Sequence, residues 1–263
     1  MPRVIITTCG TSLLTSNCWR GISDTSSILS PDLKNDPAKR AELEKSYTEY
    51  TQDYLKTTKP KELARQFDIN VWRDTNDILK LPAELASLRA MQLFLTHKKI
   101  TLTKNDRLIL LCSDTEEGKF CAKVLWYVLK KHKLLEPICI PKPRTILKLD
   151  PARPNDFQKA VRKLWSNPPI KINDENNKYY FNITGGYKVT GALLTGFAYF
   201  LGSRRAYLFY LNEASYKEIL VMGFDPLHSV PFGGRRLKIG TIITEPTIIF
   251  KGESLVPTEI WTT

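Results

Sequence analysis

Short apolar runs alternate with stretches of helical periodicity along most of the chain. The apolar runs that predict strands are residues 3–8, 68–72, 107–112, 137–140 and 179–183. The periodic stretches that predict helices are residues 81–96, 118–133, 157–165 and 188–202. Two further apolar runs, at 206–211 and 218–222, predict an antiparallel hairpin at one edge of the sheet.

This alternation predicts an α/β fold, namely a Rossmann-like, open and mainly parallel sheet with helices on both faces. We assign this fold to a domain at residues 1–225, which carries a charged helical insertion at about 31–66. Prolines and glycines interrupt the pattern over residues 226–263, which predicts a small C-terminal β extension. The extension is too short to bury a sizeable core of its own.

Two turns combine glycines, hydroxyl groups and one lysine, and each directly follows a predicted buried strand. They are Gly10-Thr11-Ser12 and Thr184-Gly185-Gly186-Tyr187-Lys188. Ligands of an open parallel sheet bind outside the carboxyl ends of its strands, so both turns should face one crevice. Backbone N–H groups, hydroxyls and a lysine are suited to a phosphate or a phosphodiester. Lysine is unfavourable beside a helix N-terminus, which indicates an anionic partner for Lys188.

Both turns also have an ordinary structural explanation. Thr11 or Ser12 can serve only as a helix N-cap, and Lys188 can be a solvated side chain on a glycine-rich connection. Neither turn has the spacing of a Walker A loop or of the dinucleotide-binding fingerprint.

Two other groups of polar residues follow predicted strands and are candidates for the same crevice. Ser113-Asp114-Thr115 follows the run at 107–112, and Asp74-Thr75-Asn76 follows the run at 68–72. The carboxylate of Asp114 would repel a phosphate, so we interpret it as a helix-capping or ribose-binding group. Asp74, Thr75 and Asn76 are candidates for contacts with a base or a ribose.

Charge and composition narrow the class of partner. The chain of 263 residues has a formal net charge of +12 and a hydrophobic fraction of 42%. This describes a globular protein whose field favours a polyanionic partner, although a protein can also be basic without one. No apolar run reaches the ~18 residues that span a bilayer, and the first residues lead directly into a strand. We therefore expect neither membrane binding nor a signal peptide.

The cysteines and histidines disfavour a metal centre. The five cysteines include no C-x-x-C pair, and the three histidines, His97, His132 and His228, are far apart. A reducing, cytoplasmic location follows, and we expect no metal and no cofactor. Because no histidine lies in the candidate turns, cleavage of a phosphodiester would depend on positioning and charge stabilisation.

The segments Ile5–Ser12 and Phe181–Lys188, taken together, resemble the CRISPR-associated Rossmann fold (CARF) family. The segment Leu81–Leu88 and the turn Ser113–Thr115 are similar to the same family. The resemblance covers about residues 1–225 and leaves the insertion and the C-terminal extension unmatched.

The resemblance implies a homodimer whose two crevices merge into one pocket for cyclic oligoadenylate, most often the ring of four adenosines made in type III CRISPR defence. Many CARF proteins carry a second effector domain, and none is recognisable here. The chain is thus similar to the stand-alone ring nucleases, which degrade the messenger and switch the response off.

Carried onto this sequence, the ring-nuclease motif implies Ser12 and Lys188 as the catalytic pair. A ribose 2′-hydroxyl would attack its own 3′ phosphate without a metal, and the product would be linear di-adenylate with a 2′,3′-cyclic phosphate. Lys188 would stabilise charge on the phosphoryl oxygens, while Ser12 would hold the phosphate. Tyr187 stands where a small hydroxyl residue is frequent in the family.

Two other functions stay open at this point. The first is a non-catalytic sensor of cyclic oligoadenylate that acts on an effector or a partner, because Ser12 and Lys188 serve binding as well as cleavage. The second is a DNA- or RNA-binding protein that uses the positive charge. The sequence contains no basic helix-turn-helix pattern, so stable DNA binding is not expected.

Overall fold

The computed structural model describes residues 1–15, 52, 54–74, 80–149, 153–166, 176–186, 188–202, 204–212, 218–225, 229–232, 235–238, 241–244, 248–251 and 254–257. In this part of the chain, nine strands form one sheet and two more form a separate hairpin. The strands that position the site are β1 (Arg3–Cys9), β2 (Arg107–Ser113), β3 (Arg144–Ile146), β4 (Lys178–Asn182), β5 (Ala206–Leu211) and β6 (Glu218–Asp225).

These strands have the spatial order β3-β2-β1-β4-β5-β6, which is the strand order of a Rossmann fold. The pairs β3–β2, β2–β1, β1–β4 and β4–β5 are parallel, and β6 pairs antiparallel with β5. The strand order reverses direction between β1 and β4, so a switch point lies there. The predicted fold class and the antiparallel β5–β6 pair are confirmed.

Helices cover both faces of the sheet. They are α1 (Pro60–Arg65), α2 (Ile69–Arg73), α3 (Ala83–His97), α4 (Glu116–Lys131), α5 (Pro154–Ser166) and α6 (Lys188–Leu201). Successive strand residues point to opposite faces, so Ile5 joins the core under α3 and α4, whereas Ile6 joins the core under α6. Because both faces are covered, the parallel strands are continuous apolar runs.

Two predicted strands are wrong. Residues 68–72 form most of α2, whose first turn is capped by the Asp68 side chain as it accepts a hydrogen bond from Asn70 N at 3.1 Å. Val71 and Trp72 are buried in the hydrophobic core. A buried helix and a buried strand of this length have the same apolar composition, so the sequence pattern does not distinguish them. Residues 137–140 make a single bridge, between Cys139 and Arg107.

The flanking prolines explain why the segment at 137–140 does not form a full strand. Pro137 and Pro141 have no N–H group for the ladder, so the segment bonds to β2 through Cys139 alone. The third strand of the sheet forms instead at Arg144–Ile146.

The C-terminal residues form short strands, as the predicted β extension requires. Strands β7 (Ser229–Phe232) and β8 (Arg235–Lys238) form the separate hairpin. Strands β9 (Thr241–Thr244) and β10 (Ile248–Lys251) pair with β6, and β11 (Ser254–Pro257) pairs with β10. These last strands therefore continue the main sheet, and the division of the chain into two domains stays a prediction.

The predicted insertion at 31–66 falls largely outside the described residues, which include only its last part, with α1. Among the described helices, none combines the length and the apolar composition needed to cross a membrane.

Candidate functional site

A polar cavity of about 280 Å³ lies at the carboxyl ends of β1, β2 and β4. Its walls come from the turns after these strands and from the first turns of α3 and α4. The lining residues are Cys9, Gly10, Thr11, Ser12, Ala83, Glu84, Ser113, Thr115, Gly118, Thr184, Gly185 and Gly186. The cavity therefore lies at the switch point between β1 and β4, where open α/β sheets bind ligands.

The two glycine turns of the sequence analysis meet in this cavity. A Cβ on Gly10 would lie 2.8 Å from the backbone nitrogen of Gly186. Gly186 has a φ of +84°, in the left-handed region, and a Cβ there would lie 2.9 Å from Thr8 Cβ. The Thr8 hydroxyl also donates a hydrogen bond to the carbonyl of Gly185. The turns approach this closely only because both positions are glycine.

A buried carboxylate that the sequence analysis did not identify joins the two turns. Glu84, in the first turn of α3, is 2% exposed. Gly10 N donates a hydrogen bond to its Oε1 at 2.6 Å, and the Ser12 hydroxyl donates one to its Oε2 at 2.5 Å. A Cβ on Gly185 would lie 2.5 Å from the same oxygen, Oε1. Glu84 is therefore wedged between the turns after β1 and β4.

The position of Glu84 in the helical pattern is the signal that could have found it. Glu84 lies three residues after Leu81 and four before Leu88, so it is on the buried stripe of α3. A carboxylate in a first helical turn also has an ordinary explanation, since it complements the helix dipole. The pattern shows that the side chain points inward, but it does not show what the carboxylate contacts.

The hydroxyl of Ser12 both donates and accepts a hydrogen bond. Its Oγ donates to Glu84 and accepts a hydrogen bond from Ala83 N at 3.1 Å. The N-terminus of α3 and the short 3-10 helix that begins at Ser12 are thus joined through one hydroxyl.

The turn after β2 contributes two hydroxyls to the cavity. Ser113 Oγ and Thr115 Oγ1 are 3.0 Å apart, and Thr115 caps α4 by accepting a hydrogen bond from Gly118 N at 3.1 Å. The cap of this helix is therefore Thr115, whereas capping was predicted for Asp114.

Asp114 itself is not among the described residues that line the cavity. Its carboxylate pairs with Lys119 Nζ at 2.5 Å and accepts a hydrogen bond from Lys148 N at 2.9 Å. These two contacts, the Lys119 bond first, lower the pKa of Asp114 below its ordinary value. Asp114 thus joins the turn after β2 to the loop after β3.

A network of buried hydrogen bonds anchors Thr184, which lines the cavity at the end of β4. Thr184 Oγ1 donates to Asn182 Oδ1 at 3.0 Å and accepts from Leu211 N at 2.9 Å. Asn182 Nδ2 in turn donates to Ser87 Oγ of α3 at 2.8 Å. All four residues are buried, and a satisfied buried network of this kind holds its members in place.

The remaining predicted site residues are not among the described residues that line the cavity. Lys188 begins α6, two positions after Gly186, and its exposed side chain is not among the described cavity-lining groups. Asp74 is the exposed C-cap of α2, so it does not follow a strand as predicted. Thr75, Asn76 and Tyr187 lie outside the described residues.

Cys9 lines the cavity, but its thiol is unreactive near neutral pH. Burial, with a smaller contribution from the charge of Glu84, raises the pKa of the Cys9 thiol well above its ordinary value. The thiol therefore stays protonated near neutral pH, and Cys9 does not supply a thiolate nucleophile.

The fold and the site define a Rossmann-like α/β protein with a polar cavity at its switch point. Residues 80–220 match the family described as CRISPR-associated protein (Cas_APE2256). The match spans more than half of the 263 residues, and the chain belongs to this family. The matched region contains Glu84 and the second glycine turn, whereas Ser12 precedes it. No curated protein matches the chain.

Proposed function

We propose that this CRISPR-associated protein binds cyclic oligoadenylate in the cavity and cleaves it, which ends type III CRISPR signalling. The observation that carries the proposal is the meeting of the two glycine turns around one polar cavity that Ser12 lines. The proposal rests in addition on the resemblance of these turns to those of the CARF ring nucleases.

The helix ends beside the cavity support an anionic ligand. Helices α4 and α6 begin beside it, so their positive ends lie near it, whereas the positive end of α3 is already compensated by the carboxylate of Glu84. Backbone N–H groups at helix N-termini are a common site for phosphate. The net charge of +12 adds a long-range attraction for a polyanion.

The size of the cavity supports a ligand shared between two copies of the chain. A volume of about 280 Å³ is at the lower end of ligand pockets, which hold ~300–1,000 Å³. It suits one phosphate with its ribose better than a ring of four nucleotides. In the proposed homodimer, two such cavities would each hold one scissile phosphate of a two-fold symmetric ring.

The proposed chemistry is attack of a ribose 2′-hydroxyl on the adjacent 3′ phosphate. The glycine turns would hold the phosphate close to the backbone, and the long side chain of Lys188 would neutralise charge on its oxygens. The products would be linear di-adenylates that end in a 2′,3′-cyclic phosphate.

The exposure of Lys188 favours a second candidate, a sensor that binds the ring without cleaving it. Incubation of the pure protein with cyclic tetra-adenylate in EDTA distinguishes the two, with chromatography and mass spectrometry as the readout. Linear di-adenylate cyclic phosphate supports the nuclease. Tight binding with an intact ring supports the sensor, and neither binding nor cleavage contradicts both.

A further inference from the structure

The hydrogen bonds of Ser12 determine what its hydroxyl offers to a ligand. A serine hydroxyl has one hydrogen to donate. An N–H group only donates, so Ser12 Oγ is the acceptor in its 3.1 Å contact with Ala83 N. Its one hydrogen points to Glu84 Oε2 at 2.5 Å. The one hydrogen of Ser12 is thus committed to Glu84, so in any contact between Ser12 Oγ and a ligand the Oγ is the acceptor.

This polarity discriminates between the two parts of a nucleotide. The oxygens of a phosphodiester are acceptors and have no hydrogen to give to Ser12. A ribose hydroxyl does have one. The buried carboxylate of Glu84 acts in the same sense, because its negative charge opposes a phosphate and attracts the proton of a hydroxyl.

We propose that Glu84 is a positioning residue that orients Ser12 to receive the proton of the attacking ribose 2′-hydroxyl. This inference rests on the proposed cleavage of cyclic oligoadenylate. It differs from the expectation from sequence that Ser12 holds the phosphate, a task that we assign to the glycine turns and Lys188.

The step balances without any further reactant. The 2′-oxygen forms a bond to phosphorus as its proton moves to Ser12 Oγ, and the Ser12 hydrogen moves to Glu84 Oε2. The bond between phosphorus and the 5′-oxygen breaks, and this oxygen takes a proton from water. Glu84 then returns its proton to water, so no net proton is released and the enzyme is restored.

Glu84 is suited to this role because its position is fixed. Gly10 N donates to Oε1 at 2.6 Å, Gly185 packs against the carboxyl group, and the side chain is 2% exposed. The helix dipole of α3 also favours a carboxylate in the first turn. A carboxylate held in one orientation keeps the Ser12 hydrogen in one orientation too.

The first test uses the wild-type protein and two rings, cyclic tetra-adenylate and its analogue with 2′-deoxyadenosine at the two opposite positions whose phosphates are cleaved. If each of these two 2′-hydroxyls donates to one Ser12, the deoxy ring should bind about ten- to 100-fold more weakly than the ribose ring, the worth of two hydrogen bonds. In Ser12→Ala this ratio should fall to about one. Equal binding of the two rings by the wild-type protein overturns the proposal, whether or not any variant folds.

The second test is Glu84→Gln, which keeps the shape of the side chain. With its carbonyl on Gly10 N, the amide would donate to Ser12 Oγ and reverse the polarity of the hydroxyl. We expect cleavage of cyclic tetra-adenylate to slow by about 100-fold or more, as for loss of a proton acceptor, while the Kd stays within about threefold or improves.

The matched control is Glu116→Gln, which removes the same charge from an exposed first-turn position of α4. It should change neither the rate of cleavage nor the Kd. Full cleavage by Glu84→Gln overturns the role of Glu84 and leaves the proposed function intact. Equal losses of binding and cleavage in Glu84→Gln would mean that Glu84 has a structural role only. An intact ring after incubation with the wild-type protein overturns the proposed function itself, and this inference with it.

Discussion

Gly10 and Gly186 approach so closely that a Cβ on Gly10 would lie 2.8 Å from the backbone nitrogen of Gly186. Backbone cannot yield as the end of a flexible side chain can. We expect Gly10→Ala to lower the free energy of unfolding by about 1–3 kcal/mol, the usual cost of overpacking, and to weaken binding of cyclic tetra-adenylate. Denaturant unfolding and titration calorimetry measure the two effects.

Gly191 in α6 provides the matched control for this substitution. A Cβ there would meet Ile183 Cβ at 3.7 Å, which is an ordinary contact. Alanine is also the better helix former, so Gly191→Ala should leave stability unchanged or raise it by about 0.5–1 kcal/mol. If both variants were equally stable, the close approach of the two turns would not be required.

The same two turns show how far a sequence can predict this site. A glycine turn after a buried strand can be placed at the carboxyl edge of the sheet from sequence alone, because the carboxyl ends of all parallel strands lie at this edge. The order of the strands along that edge is a long-range property. The sequence analysis therefore places Ser12 and Gly185 at one crevice, but it does not identify their common neighbour Glu84, which lies on a helix.

The elements that were predicted wrongly have a similar cause. Helix α3 is long enough for its apolar period to be distinct, and residues 81–96 were assigned correctly. The run at 68–72 is too short for a period, and its state depends on the Asp68 cap and on the burial of Trp72. The Asp68 cap is a local signal that the sequence analysis does not consider.

Asp106 is a stability determinant at the opposite end of the sheet from the cavity. It is buried, and its carboxylate accepts hydrogen bonds from Arg3 N at 2.7 Å and Thr103 N at 2.7 Å, with an ion pair to Arg3 at 3.0 Å. We expect Asp106→Asn to cost about 2 kcal/mol of unfolding free energy, because it weakens several charge-assisted bonds at once. Urea unfolding checks this.

Binding of cyclic tetra-adenylate should survive this substitution at temperatures where the variant is folded. Glu136→Gln is the matched control, since its 3.4 Å pair with Lys133 is largely exposed and should contribute less than about 0.5 kcal/mol. A loss of ligand affinity in Asp106→Asn without unfolding would contradict a purely structural role at this end of β2.

Removal of divalent metals should leave cleavage unchanged. The proposed step moves a proton through Ser12 to Glu84 and stabilises charge with Lys188 and backbone N–H groups, so it contains no metal-bound group. We expect initial rates of cleavage in EDTA and in Mg²⁺ to agree within about twofold. A catalytic metal supplies several kcal/mol of transition-state stabilisation, so its removal would slow cleavage far more than this. Restoration of a lost activity by added Mg²⁺ or Mn²⁺ would show that the mechanism is incomplete.

Lys188 should separate cleavage from binding. Its side chain is exposed at the start of α6, so Lys188→Ala removes a charge and little packing, and the melting temperature should stay unchanged. We expect single-turnover cleavage of cyclic tetra-adenylate to slow by about 100- to 1,000-fold, as for loss of one transition-state donor, with a Kd less than about tenfold weaker. Lys123→Ala, exposed on α4, removes the same charge at a different place. Unchanged cleavage in Lys188→Ala contradicts the assignment of this lysine, and equal slowing in both variants would trace the effect to net charge alone.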